Sequence, residues 1–253
     1  MRLTLFLTAV LLLATVPASA QAQSVPERQF DPNRHAWLML FSDARLVGRW
    51  GLHTEFQWRR ARLGRSPQQE LYRAGLNYHA SDRVMLTAGY AFVQTYRYGE
   101  FPAADEFPEH RLYEQLLLRD KHGALALSHR YRLEQRWIRF PNTADYTFLN
   151  RFRYMLRGAL PLLPGRTAID PGTPYLAVYD ELFIGFGENV IRNVFDQNRA
   201  YGALGWQLTK ALSVEAGYLH QLVLQRNGRI YESNHTLQLG LTFNPDYRPT
   251  PQP

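Results

Sequence analysis

The 253-residue sequence contains no cysteine and, beyond its N-terminus, no long apolar run. The lack of cysteine excludes a disulfide framework, and the lack of an apolar run near 18 residues excludes a membrane-spanning helix after the N-terminus. Lysine is also scarce, with Lys121 and Lys210 as the only examples, so arginine supplies nearly all of the formal net charge of +7. An apolar share of 45% excludes a disordered chain.

The N-terminus has the pattern of a secretory signal peptide. A basic Met1–Arg2 start precedes an apolar run from Leu3 to Val16, and Ala18-Ser19-Ala20 fits the A-x-A cleavage pattern. The run is too short to span a membrane, which requires about 20 residues. A buried N-terminal helix is the alternative. We therefore predict a signal peptide over 1–20, a mature start near Gln21 and an N-terminal tail over 21–35.

From Trp37 to Phe243 the apolar residues alternate with polar ones, which is typical of β-strands. One face of the segment 50–59 carries Trp50, Leu52, Thr54, Phe56 and Trp58, and the other carries Gly51, His53, Glu55, Gln57 and Arg59. Similar segments occur at 72–79, 125–137, 148–157 and 236–243, and less regular ones fit at 84–96, 109–119, 174–186, 196–208 and 211–224. Each strand therefore has one apolar and one polar face.

The connections between these segments alternate in length. Short turns are expected at 80–83, 120–123 and 209–212, and longer connections at 61–68, 97–108, 138–145, 187–195 and 225–232. A long connection at 161–172 departs from the pattern. This asymmetry is typical of outer-membrane barrels, which have short periplasmic turns and long extracellular loops.

The sequence therefore predicts an all-β fold, a transmembrane antiparallel up-and-down β-barrel of 10–12 strands over 36–243. Since bacterial barrels usually have an even strand number, ten or twelve is expected, and 36–41 is either a further strand or a leading segment. The proline-containing segment 244–253 is expected to be a C-terminal tail. A soluble β-sandwich also alternates, but long Arg-rich faces and tryptophans near strand ends favour the barrel.

Several strings, taken in order, resemble a bacterial family catalogued as "domain of unknown function 2490". They are Arg73–Tyr78, Ala88–Tyr90, Glu109–Gln115, His129–Arg136, Asn150–Tyr154, Tyr179–Glu181, Asp196–Arg199 and Glu215–Tyr218. The resemblance covers roughly Trp37 to Phe243. It implies an outer-membrane-type barrel and carries no assigned activity or catalytic residues. The segment His235–Phe243 also resembles the C-terminal signal read by the barrel-assembly machinery, except that ten residues follow Phe243.

The polar faces are predicted to form a network of charges and amides inside the barrel, because arginine pairs bidentately with carboxylates and stays charged. Its expected members are Glu55, Arg59, Arg73, Arg111, Gln115, Arg130, Arg132, Glu134, Arg136, Arg151, Arg153, Glu181, Gln197, Arg199 and Glu215. One interpretation is a structural network that fills a small lumen. The other is a narrow, anion-preferring pore, since rings of arginine select anions.

Catalysis is the alternative class, in the form of an outer-membrane lipid hydrolase or acyltransferase, which needs a nucleophile beside a histidine. Ser128 and His129 are adjacent, but alternation places them on opposite faces, and Ser233 and His235 lie near a loop–strand junction. His53 and His79 could hold a metal with Glu55, although they are more simply members of the polar lumen. We expect no enzyme, no catalytic residues, no metal and no cofactor.

The basic residues are spread along the strands instead of forming a patch, so nucleic acid is not an expected partner. Outer-membrane lipid and lipopolysaccharide are expected partners, together with the barrel-assembly machinery. Arg62, Arg65, Arg226 and Arg229 lie in predicted outer loops, where they either meet lipopolysaccharide phosphates or are solvated loop charges. The acidic segment 100–109 is expected either to touch a partner or to fold into the mouth. No protein partner is identified. The predicted location is the outer membrane of a Gram-negative bacterium, after export.

Overall fold

The computed structural model describes residues 28–249, and the predicted signal peptide lies outside them. The chain forms eleven strands and one short 3-10 turn over Arg62–Gly64. The strands are β1 Gln29–Val47, β2 Trp50–Ala61, β3 Ser66–His79, β4 Val84–Thr95, β5 Phe107–His122, β6 Leu125–Ile138, β7 Thr147–Pro161, β8 Thr173–Phe186, β9 Phe195–Gln207, β10 Leu212–Leu224 and β11 Ile230–Phe243. Within the described residues, no helix is long and apolar enough to cross a membrane.

The strands form a closed barrel in which each pairs antiparallel with its sequence neighbour. Closure is made by parallel pairing of β1 with β11, from Gln29 opposite Ile230 to Phe41 opposite Thr242. Eleven lies within the predicted range of ten to twelve, but the expectation of an even number is wrong. An up-and-down sheet with an odd number of strands can close only if its first and last strands run in the same direction.

The extra strand comes from the N-terminal side. Residues 36–41 lie inside β1, which begins at Gln29. The predicted N-terminal tail over 21–35 is therefore wrong for residues 29–35, which belong to this strand. Pro32 obscures this strand in the sequence, because proline lacks the N–H donor that a ladder uses. It lies on the exposed face of β1, opposite Ser233.

The described part of the C-terminal tail also contacts β1. The backbone N–H of Tyr247 donates to the carbonyl of Arg45 at 2.9 Å, and the N–H of Asp43 donates to the Asn244 side chain at 2.8 Å. A single bridge pairs Arg45 with Asp246. Residues 244–249 therefore lie against the end of β1.

The two ends of the barrel differ in the length of their connections. At the end where β1 finishes, which we name the turn end, short connections span 48–49, 80–83, 123–124 and 208–211, and the long connection 162–172 is the predicted exception. At the opposite end, the loop end, the connections span 62–65, 96–106, 139–146, 187–194 and 225–229. Because β1 adds an eleventh strand, the N-terminal strand starts at the loop end while β11 finishes at the turn end.

Burial alternates along the strands as the sequence pattern predicts. In β2, residues 51, 53, 55, 57 and 59 are buried in the lumen, whereas Leu52 and Trp58 are exposed on the outer wall. The lumen is less polar than expected, however. An apolar cluster lines one side of it, formed by Trp37, Met39, Tyr201, Ala203 and Leu219.

A pair of facing glycines makes room for one large lumen side chain. Gly75 in β3 and Gly89 in β4 are direct partners. A Cβ atom on Gly75 would lie 2.6 Å from the hydroxyl of Tyr113, and one on Gly89 would lie 2.9 Å from its ring. Tyr113 therefore occupies the space that side chains at these two positions would fill.

Candidate functional site

The lumen is crossed by a continuous network of ion pairs, and Glu134 is its most buried member. The Glu134 side chain is 0% exposed. Arg151 donates to its Oε2 atom from Nε at 2.9 Å and from Nη2 at 2.5 Å. Arg153 donates to its Oε1 atom at 2.7 Å, and Arg73 Nη2 lies 3.5 Å from the same oxygen. One carboxylate thus joins three arginines from two strands.

Two further carboxylates extend the network across the barrel. Glu181 accepts hydrogen bonds from Arg153 at 2.7 and 3.0 Å and from Arg130 at 2.8 Å. On the other side, Glu55 pairs with Arg73 and accepts a hydrogen bond from Gln57. Because Arg73 and Arg153 each join two carboxylates, the chain of contacts runs unbroken from β2 to β8.

Near the loop end a second branch joins the same network. Glu109 accepts a fork of hydrogen bonds from Arg111, at 2.6 and 2.8 Å, and another from Arg136. Arg136 also lies 4.0 Å from Asp196, to which Arg151 donates at 2.7 Å. Forked arginine–carboxylate pairs of this kind fix geometry as well as charge.

Arg132 is held by neutral groups. Its Nε and Nη2 atoms donate to the Gln115 amide oxygen at 3.0 and 2.6 Å. Its guanidinium also lies 5.0 Å from the Tyr113 ring centre, and that of Arg73 lies 5.1 Å from the same ring. The tyrosine therefore lies within cation–π distance of two like charges.

Arg59 and Arg199 are buried beside aromatic rings. Arg59 donates to the amide oxygens of Gln57 and Gln69, while Arg199 comes no nearer to Glu181 than 4.0 Å. The guanidinium carbon of Arg59 lies 4.2 Å from the Trp37 ring centre, and that of Arg199 lies 5.5 Å from it. The neighbouring Gln197 accepts a hydrogen bond from Gln221 at 2.5 Å.

Glu215 forms a separate cluster. It pairs with Arg157 and accepts hydrogen bonds from the hydroxyls of Tyr175 and Tyr201 at 3.0 and 3.3 Å. The structure thus places all fifteen sequence-predicted residues on the inner face. Glu215 lies apart from the central ion-pair network, as do the Arg132–Gln115 pair and Gln197.

Several residues of the site are absent from the predicted set. Asp196, Arg157, Tyr113 and Trp37 all contact its members. Glu109, which alternation places on the same polar face as the arginines, pairs with Arg111 and Arg136. Alternation alone could have placed Tyr113, since it shares the parity of Arg111 and Gln115. Predicting the inward position of Trp37 would have required the boundaries of β1, which the sequence pattern leaves open.

The predicted histidine pair does not converge on one carboxylate. His53 hydrogen-bonds to Asp43 through Nδ1 at 2.8 Å, and its Nε2 lies 3.5 Å from Glu55. His79 is buried, and neither of its ring nitrogens has a hydrogen-bond partner among the described residues. Within the described part of the chain, no three His, Cys, Asp or Glu side chains are grouped as metal ligands would be.

A serine and a histidine do meet, but on the outer wall. Ser128 and His129 lie in β6 and face opposite sides, and His129 hydrogen-bonds to the Tyr154 hydroxyl at 2.9 Å. The Ser233 hydroxyl lies 3.0 Å from Nε2 of His220 on the neighbouring strand. The His220 ring centre is 5.3 Å from that of His235, which hydrogen-bonds to Tyr218 at 2.6 Å.

The long loop 96–106 folds over the mouth of the barrel, one of its two expected arrangements. The Tyr98 hydroxyl donates to Glu232 at 2.9 Å, the Glu100 N–H donates to Asp31 at 3.3 Å, and Gln225 donates to the Phe101 carbonyl at 3.2 Å. Burial beside the Glu232 carboxylate raises the pKa of the Tyr98 hydroxyl well above its usual value, so this hydroxyl stays a donor.

A family model described as "Protein of unknown function (DUF2490)" matches residues 34–232. The chain belongs to this family. No curated protein and no solved structure gives a significant match. The family predicted from the ordered strings is confirmed, and this DUF2490 member is an all-β closed barrel.

We expect Glu134→Ala to destabilise the barrel by about 3–5 kcal/mol, because it leaves buried arginines without their shared partner. Arg62→Ala, at an exposed arginine in the 62–65 connection, is the matched control and should change stability little. Urea unfolding of both variants in detergent micelles measures the difference. Equal midpoints would show that the network contributes no stability.

Proposed function

We propose that this chain is an integral outer-membrane barrel of a Gram-negative bacterium, whose side-chain-filled lumen has a structural role. The main support for the proposal is the apolar surface of the outer wall. Large apolar side chains are exposed on strands around the barrel, among them Leu52, Leu76, Leu112, Leu156, Leu204 and Leu239. An apolar surface that extends around a whole barrel is far larger than soluble monomers expose.

The closed sheet supports the same proposal. Lipid offers no hydrogen bonds to the backbone, so a spanning sheet must pair every strand, which the parallel contact of β1 with β11 achieves. Short connections at one end and longer ones at the other agree with periplasmic turns and outer loops. The lipid of that membrane and its lipopolysaccharide would be the surroundings of the wall, and the barrel-assembly machinery would insert it.

An arginine placed on the outer wall tests the membrane assignment. Leu239→Arg should destabilise the folded barrel in phospholipid vesicles, lowering its free energy of unfolding by about 2–4 kcal/mol, because it moves a charge into hydrocarbon. The matched control is Ile191→Arg, since Ile191 is 76% exposed but lies in the 187–194 loop. Chemical denaturation in vesicles compares the two. If both variants fold as well as the wild type, the wall does not face lipid.

Conductance tests the role of the lumen. Arg132 and Glu134 are 1% and 0% exposed and the lumen around them is filled, so the refolded protein should give no steady current in a planar bilayer. A heat-modifiable band on a gel provides the control that the sample is folded. A steady current that prefers anions in a KCl gradient would instead favour a narrow, anion-preferring pore.

A lipid-modifying enzyme is the second candidate, and the contact between Ser233 and His220 favours it. The pair lies on the outer wall near the loop end, where a lipid could reach it, and Nε2 of His220 could accept the serine proton. If the pair is catalytic, release of fatty acid from phospholipid vesicles should be abolished in Ser233→Ala and kept in Ser213→Ala. Absence of release by the wild type would exclude this candidate.

A further inference from the structure

A small cavity lies in the loop-end half of the lumen, beneath loop 96–106. Its volume is about 150 Å³, and Asp196 is the one carboxylate among its lining residues. Seven arginines also line it, namely Arg59, Arg73, Arg111, Arg136, Arg151, Arg153 and Arg199. The excess of positive charge around this space is the feature that needs an explanation.

Five of these arginines donate hydrogen bonds to carboxylates, whereas Arg199 reaches Glu181 only at 4.0 Å and Arg59 contacts no carboxylate of the described residues. Arg73, Arg111, Arg136, Arg151 and Arg153 each contact the carboxylate of Glu55, Glu109, Glu134, Glu181 or Asp196. Arg59 and Arg199 make no hydrogen bond to any carboxylate of the described residues, and the Nε atoms of both are buried without a partner there. Each of these two residues is 7% exposed.

Aromatic rings hold both guanidinium groups in position. Trp37 lies beside both, and its Nε1 atom is fixed by a hydrogen bond to Gln68 at 2.7 Å. Arg199 also lies 4.8 Å from the Phe183 ring centre. Cation–π contacts lessen the free-energy cost of burying the two charges, but they leave N–H donors unsatisfied.

Two buried cations around one space suit a doubly charged anion. Buried charges require a partner, and guanidinium groups bind the oxygens of phosphate-like anions through paired N–H donors. At about 150 Å³ the cavity has room for one small tetrahedral oxyanion, and it is smaller than the pockets of about 300–1,000 Å³ that take drug-sized ligands. We propose that Arg59 and Arg199 form a binding site for a free oxyanion of the phosphate class.

The site lies between the ion-pair network and loop 96–106. Below it, the network around Glu134 fills the lumen, and above it Tyr98 lines the cavity from loop 96–106. An anion would therefore have to enter from the loop end, past this loop. The inference rests on the proposed function in one respect, which is the side of the membrane that the loop end faces. The cavity itself belongs to the folded barrel whether or not the barrel lies in lipid.

Calorimetry with inorganic phosphate tests the site directly. The refolded full chain in non-ionic detergent micelles, in a constant chloride background, should bind one phosphate. Arg59→Gln combined with Arg199→Gln should weaken binding at least tenfold, because both guanidinium partners are lost. Arg62→Gln combined with Arg65→Gln removes two arginines from a loop at the same end of the barrel and should leave the affinity within twofold.

Thermal unfolding gives a second measurement. Phosphate should raise the melting temperature of the wild type above its value in chloride of equal ionic strength, and should not do so for the Arg59/Arg199 variant. The variant is expected to fold, since neither arginine donates a hydrogen bond to a carboxylate of the described residues and glutamine keeps an amide donor at each position. No heat and no thermal shift in the wild type, or an equal loss in the loop variant, would overturn the proposal. Because both measurements use micelles, phosphate binding can stand even if Leu239→Arg proves neutral in vesicles.

Discussion

The parallel contact between β1 and β11 is the interaction on which the rest of the structure depends. Without it the sheet would have two open edges, and its alternating strands would have no inside. Closure gives every strand an inner and an outer face. Closure therefore determines both surfaces of the molecule. Alternate residues of each strand are confined together in the lumen, and the residues between them form the outer wall.

Confinement determines the chemistry of the lumen. Arginines from six strands face a space too small for each to keep its own shell of water, so each must share a carboxylate, an amide or an aromatic ring. Glu134 serves three of them, and Tyr113 lies beside two. Such a network favours one arrangement of the strands, since a slip of one strand by one residue would carry the inward charges of that strand to the outer wall.

The sequence predicts the faces of the strands well and the closure poorly. Period-two alternation places Arg73, Arg132 and Glu134 inside because side-chain direction depends only on the local backbone. The strand number depends on β1, where Pro32 interrupts the ladder signal. Which arginine meets which carboxylate depends on strand tilt and stagger around the whole barrel, and these are not properties of any one segment.

The same distinction explains why the sequence does not show that two arginines lack a close acidic partner. Alternation identifies Arg59 and Arg199 as inward residues, but Trp37, which lies beside both, comes from a strand that the pattern leaves undefined. A lumen built only for stability would gain from a carboxylate or an apolar residue at these positions, because an unpaired buried charge is destabilising. Unlike Arg132, which Gln115 and Tyr113 hold within the filled lumen, both residues line a cavity, which is what a site for a charged ligand requires.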